Sequence, residues 1–127
     1  SQKMQDNLRK KLTGNIRSIA SLSNPIDLTG SAVDEDFVAC ARAISAMQEI
    51  DCIMVLLLPY LPGVTLDIGV RLSQVQKQFK KPIIAYVPHV EKYNMMIDGF
   101  ELNGTPVSPS TEGAVQMAKA LARKKPC

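Results

Sequence analysis

Few side chains in this sequence have the chemistry of a catalyst. His89 is the single histidine, and it sits in Val87-Pro88-His89-Val90-Glu91, a loop between an apolar run and a helical pattern, where it reads as a surface residue. Cys40, Cys52 and Cys127 make an odd count without metal-type spacing. Cys40 and Cys52 fall in apolar segments, where a thiol packs as a small hydrophobe. The acids Asp34, Glu35 and Asp36 open a helical pattern, where negative charge meets the positive end of the helix dipole, and they lack the alternation of a calcium loop. No metal site is expected. The segment Pro59-Tyr60-Leu61-Pro62-Gly63-Val64-Thr65 is of more interest. It follows an apolar run and opens a helix, the position where backbone N–H groups of an open α/β sheet receive a phosphate. Gly63, Val64 and Thr65 are therefore candidate anion-binding residues, although Pro62 removes one N–H and stiffens the turn. The competing reading is a plain connection with Thr65 as N-cap.

Composition narrows the partners. The net charge of +3 is set by the ends: residues 18–122 carry seven basic and eleven acidic side chains, a balance of −4. A duplex or single strand needs Lys and Arg gathered on one face to neutralise phosphates, so nucleic acid is not an expected partner. The terminal charges read as solvated, frayed ends. The longest apolar run, 52–58, is far short of the roughly 20 residues that cross a bilayer, so no membrane partner is expected. The free cysteines point to a reducing, cytoplasmic setting.

The elements that must position these residues follow from periodicity. Residues 52–58 and 83–87 are apolar without polar alternation, as in parallel strands covered on both faces. A weaker strand is expected at 105–108, after the Asn103-Gly104 turn, with Pro106 marking an edge. A further short strand is possible within 17–22. Helical spacing covers 34–48, 65–79 and 91–102, and Ser108 with Pro109 would cap and start a last helix. Met95, Met96, Ile97 and Phe100 read as core. Helix-sized connections force the strands parallel, which gives an α/β, three-layer, flavodoxin-like sheet of three strands. So small a sheet is expected of a domain truncated at its N-terminal side, and the start at Ser1 without methionine agrees. Its uncovered edge invites another strand, another domain or a homo-oligomer. The expected organisation is a basic helical segment at 1–17, the α/β domain at 18–122 and a tail at 123–127.

Ser23-Asn24-Pro25-Ile26-Asp27-Leu28-Thr29-Gly30 resembles the entry signature of the NDP-forming acyl-CoA synthetases, the ADP-forming acetate-CoA ligases. After it come an acidic-start helix, the strand at 50–56, a proline-containing loop and a helix. Then come the Lys81-Pro82-Ile83-Ile84-Ala85 strand and a closing Gly104 to Val115 segment, all in that family's order. The likeness spans 18–122 and extends, more distantly, to the C-terminal domain of the succinyl-CoA synthetase β subunit. It implies the flavodoxin-like third domain of an acid-thiol ligase, in which acyl-CoA, phosphate and ADP become acid, CoA and ATP through a phosphohistidine.

The resemblance also implies where the chemistry lies. His89 does not match the family's phosphohistidine motif, so no catalytic residue is expected in this chain and it should be inactive alone. CoA, ADP/ATP and Mg belong to the implied parent, as do the partner CoA-binding, phosphohistidine and ATP-grasp domains. The succinyl-CoA synthetase relative has a Gly-Gly-Ile turn where this chain has Pro62-Gly63-Val64, which leaves fewer free N–H groups. Asn24, Pro25, Asp27 and Gly30 are expected to be structural: Asn24 and Pro25 in a turn, Asp27 accepting backbone N–H groups, Gly30 admitting close approach to the next helix. The alternative is a regulatory, synthetase-like domain fused to an acetyltransferase, or another interaction module. An independent flavin-binding or receiver domain would need a phosphate loop or an acidic pocket that the sequence lacks.

Overall fold

The two apolar runs form the centre of a parallel sheet in a computed structural model that describes residues 1–123. In chain order the elements are α1 (Gln2–Lys11), α2 (Gly14–Ile19), α3 (Asp34–Ser45), β1 (Ile53–Leu56), α4 (Ile68–Phe79) and β2 (Ile83–Tyr86). A 3-10 turn (Glu91–Tyr93), α5 (Asn94–Glu101), β3 (Val107–Ser108) and α6 (Thr111–Arg123) complete the fold. The strands lie in the order β1-β2-β3, all parallel, with Ile53 beside Ile83 and Ala85 beside Val107. This is the expected α/β class, a small open parallel sheet of flavodoxin-like character.

Side chains alternate across the sheet. Ile53, Val55, Leu57, Ile83, Ala85 and Val87 point to one face and bury against Ile68, Leu72 and Val75 of α4 and Met96 and Phe100 of α5. Ile84 points to the other face, where α6 packs and buries Ala114. The sandwich is lopsided. On the α6 face Leu56 is 47% exposed, although the sequence of β1 is that of a strand made for burial on both sides. Where α4 crosses α5, Gly69 is pressed so closely to the neighbouring backbone that a Cβ would sit 2.5 Å from the Met96 carbonyl oxygen and 2.9 Å from the Phe100 nitrogen.

The N-terminal segment is not frayed. Leu8, Leu12 and Ile16 are each no more than 2% exposed, forming a second core with Leu22, Leu28, Ala32 and Cys40. Phe37 of α3 touches both cores. The basic residues here are partly structural: Arg9 donates to the Arg17 and Ala20 carbonyls, and Arg17 donates to those of Lys10 and Leu12. Carbonyls left without partners where α1 and α2 end are thereby satisfied. The boundary expected after residue 17 falls inside α2. At the other end Arg123 closes α6, and residues 124–127 of the expected tail lie outside the described residues.

Several boundaries move for local reasons. The last helix is capped by Ser110, whose hydroxyl accepts the Gly113 N–H at 3.0 Å, and not by Ser108, which ends β3 and bonds Ser110. The strand considered within 17–22 reduces to a single antiparallel bridge between Ser21 and Asp27. In the methionine cluster Met96 and Phe100 are core, but Met95 is 70% exposed.

Candidate functional site at the carboxyl end of the sheet

Three segments meet where β1 and β2 end: residues 32–34, which follow the signature turn, the loop at 59–67 and the loop at 88–93. The first turn of α3 ties the first two together. Gly63 rests on Ala32 and Val33, where a Cβ would lie 2.8 Å from the Ala32 carbonyl oxygen. Asp34, buried despite its charge, accepts the Thr65 N–H at 2.9 Å and the Thr65 hydroxyl. Arg71 of α4 stands 3.7 Å from Asp34 and 3.0 Å from Glu35. The Glu35 carboxyl is held below the usual carboxylate range, first by its own backbone N–H and then by the Arg71 hydrogen bond.

This geometry bears on the expected anion site. Of the three candidate residues, Thr65 gives its N–H to Asp34, and Val64 gives its N–H to the Leu61 carbonyl at 3.2 Å. The loop therefore holds an anion already, the protein's own Asp34 carboxylate. An incoming phosphate would have to displace it and would meet its negative charge. Thr65 is not the N-cap of α4 either; that position falls to Asp67, whose N–H donates to the Thr65 hydroxyl at 3.2 Å.

Beside this loop Tyr60 adopts a left-handed backbone with φ 64°, and its N–H donates to the hydroxyl of the buried Tyr93. Lys92 lies 5.6 Å from the centre of the Tyr60 ring, within cation–π range. His89 is exposed in the same loop. The apolar hollow among Leu58, Leu61, Val87 and Met96 admits water over only ≈ 10 Å³. That is about one water molecule, far below the roughly 300 Å³ of a ligand pocket.

The signature turn is closed by the paired Ser21 and Asp27 backbones, each N–H 2.9 Å from the other's carbonyl oxygen. The Asp27 carboxylate accepts the Thr29 N–H at 2.8 Å, an Asx turn that holds Thr29 at φ 68°. Asn24 and Pro25, joined by a cis peptide, lie exposed at the tip. Gly30 departs from expectation: no atom beyond its chain neighbours would lie within 4 Å of a Cβ there, and the close backbone approach belongs to Gly63.

Asp36, two residues beyond Asp34, faces the opposite way. It is fully buried and accepts the Thr13 N–H at 2.8 Å, the Thr13 hydroxyl at 2.9 Å and the Val33 N–H at 3.0 Å. One carboxylate thus satisfies the first turns of both α2 and α3. Its charge, after burial itself, is a cause of the raised Cys40 thiol, which is pushed up to about 12. Cys52 is also raised, by burial first and then by Asp51. Both shifts disfavour the thiolate, which is the reactive form.

Reading the sequence missed the Asp34–Thr65, Asp36–Thr13 and Tyr93–Tyr60 contacts, because each joins segments more than twenty residues apart. The acidic start of α3 was visible; the division of its bonds between two carboxylates facing opposite ways was not. Among the described residues no group of three or more His, Cys, Asp or Glu converges as metal ligands, and no helix is long and apolar enough to cross a membrane. No protein-family model matches the sequence, and no curated protein matches it either.

Proposed function

We propose that this chain is a noncatalytic scaffold domain of an NDP-forming acyl-CoA synthetase, contributing packing and interdomain contacts to an active site whose reactive groups are carried elsewhere. The observation that carries this reading is the contact of residues 32–34, which follow directly on the Asn24-Pro25-Ile26-Asp27-Leu28-Thr29-Gly30 turn, with Gly63 and Thr65 of the strand-end loop. In support, the chain leaving the signature reaches the carboxyl end of a parallel sheet, where an open α/β fold meets its ligands. The exposed Leu58, Tyr60, Val90 and Met95 around it are apolar surface suited to neighbouring domains. CoA, ADP/ATP and Mg would be bound by those neighbours. The Asp34 carboxylate in the anion position favours a supporting role over phosphate handling, and it fits equally a regulatory, synthetase-like domain of a fused acetyltransferase.

The test is reconstitution with the polypeptide encoded beside this chain. The reading expects phosphohistidine and ATP-grasp modules there, no turnover of acyl-CoA, ADP and phosphate by the chain alone, and turnover when the pieces are combined. An acetyltransferase with a degenerate histidine motif would select the second reading. Turnover by the isolated chain would defeat both.

A further inference from the structure

Of the basic residues in α1 and α2, Arg9 and Arg17 are committed to main-chain carbonyls. Lys3 and Lys11 are not, and among the described residues neither makes an ion pair. Both line an open groove of ≈ 360 Å³ between α1 and the C-terminal end of α3. Met4 and Leu8 form its floor, Ala43 and Ala46 its far wall, and no acidic side chain lines it. Eight residues of helix separate the two lysines, about 12 Å at 1.5 Å per residue. The groove thus carries a positive charge at each end and an apolar middle.

We propose that this groove docks an acidic amphipathic helix of a partner protein, with two carboxylates seven residues apart on Lys3 and Lys11 and apolar side chains between them on Met4 and Leu8. Charge selects the sign of the occupant. The two-ended placement of that charge selects against a single-headed amphiphile, which would leave one lysine unmatched. Both walls are helices whose backbones bond internally, so an extended peptide would find no ladder partner for its N–H and C=O groups, whereas a helix satisfies its own. Seven residues of helix span about 10.5 Å, close to the lysine spacing. The short side chains of Ala43 and Ala46 admit the incoming helix closely. A lipid surface fits less well, because Leu8 is 2% exposed at the bottom of the groove and an interfacial helix turns its apolar face outward. A nucleic-acid strand would call for a longer cationic track and an aromatic platform, and the lining has neither. The acidic start of α3 in a second copy is engaged by Thr13, Thr65 and Arg71. This inference requires nothing of the synthetase reading.

The test uses the full chain and a synthetic probe, a fluorescent, lactam-stapled helical peptide with glutamates seven residues apart and two leucines between them, titrated by fluorescence anisotropy. Saturable binding with a Kd on the order of 100 μM or tighter is expected, weakening as salt is raised. Replacing both glutamates by glutamine should weaken it at least about tenfold, and so should Lys3→Glu combined with Lys11→Glu. Ala46→Trp fills the groove from an exposed position and should abolish binding with the far-UV spectrum unchanged. Lys77→Glu with Lys119→Glu makes the same change of charge on α4 and α6 and should bind as the wild type does. No saturation by about 1 mM peptide would overturn the proposal, as would equal binding of the glutamine peptide or equal loss in the α4 and α6 variant. Phosphatidylserine vesicles or a short DNA duplex bound through Lys3 and Lys11 more tightly than the peptide would also overturn it. So would a dimer of the chain, seen by sedimentation equilibrium, that is lost on Lys3→Glu with Lys11→Glu.

Discussion

Replacing Asp36 tests whether the N-terminal helices belong to the fold. Its carboxylate is completely buried and satisfies two backbone N–H groups and one hydroxyl, at 2.8 to 3.0 Å. In Asp36→Ala the Val33 and Thr13 N–H groups each lose a part-buried hydrogen bond, at about 1–3 kcal/mol apiece, so a loss of about 2–6 kcal/mol is expected. Asp36→Asn keeps one oxygen acceptor but turns an NH₂ group toward a donor, and about 2–3 kcal/mol should go. Urea unfolding followed by far-UV circular dichroism suits a chain without tryptophan. Thr13→Ala completes a double-mutant cycle. Thr13 and Asp36 should couple by at least about 1 kcal/mol, since they share one bonded network. A loss below about 1 kcal/mol for Asp36→Ala, or additive effects of the two substitutions, would refute the joint between α2 and α3.

Three further outcomes are expected. Gly69→Ala should destabilise by at least about 2 kcal/mol, because the new methyl meets backbone atoms of α5 that cannot rotate away; thermal denaturation reads this directly. Lys80→Gly should stabilise by about 0.5–1 kcal/mol in the same assay, since Lys80 ends α4 in a left-handed conformation at φ 52° that glycine adopts freely. The Cys40 thiol, ordinarily near 9.0, is raised to about 12 in the fold, so as pH rises the unfolded chain loses the proton first. Its contribution is fully present below pH 9 and disappears between pH 9 and pH 12, by at most about 4 kcal/mol. Cys40→Ala should flatten that alkaline slope in urea titrations at pH 8 to 10.5.

Whatever depended on short-range pattern was legible in the sequence. The unalternating runs at 52–58 and 83–87 became β1 and β2, and α4 ended at Phe79 as its apolar spacing required. The N-terminal core was also written there, as Leu8, Leu12 and Ile16 at four-residue spacing, but the dense charge around them masked it. The strand-end loop was harder. Gly63, Val64 and Thr65 present the outline of an anion cradle, and only folding brings Asp34, thirty-one positions from Thr65, into it. Gly30 misled for the same reason, since whether a glycine serves close approach depends on what the chain brings alongside.

Because Asp34 and Asp36 reach in opposite directions from the first turn of α3, their two carboxylates act like a rivet through two plates. One plate is the amino-terminal helical pair, the other the rim of the sheet. A disturbance in either should travel to the other through this helix, so proteolytic nicking near Thr13 would be expected to loosen the rim around Tyr60.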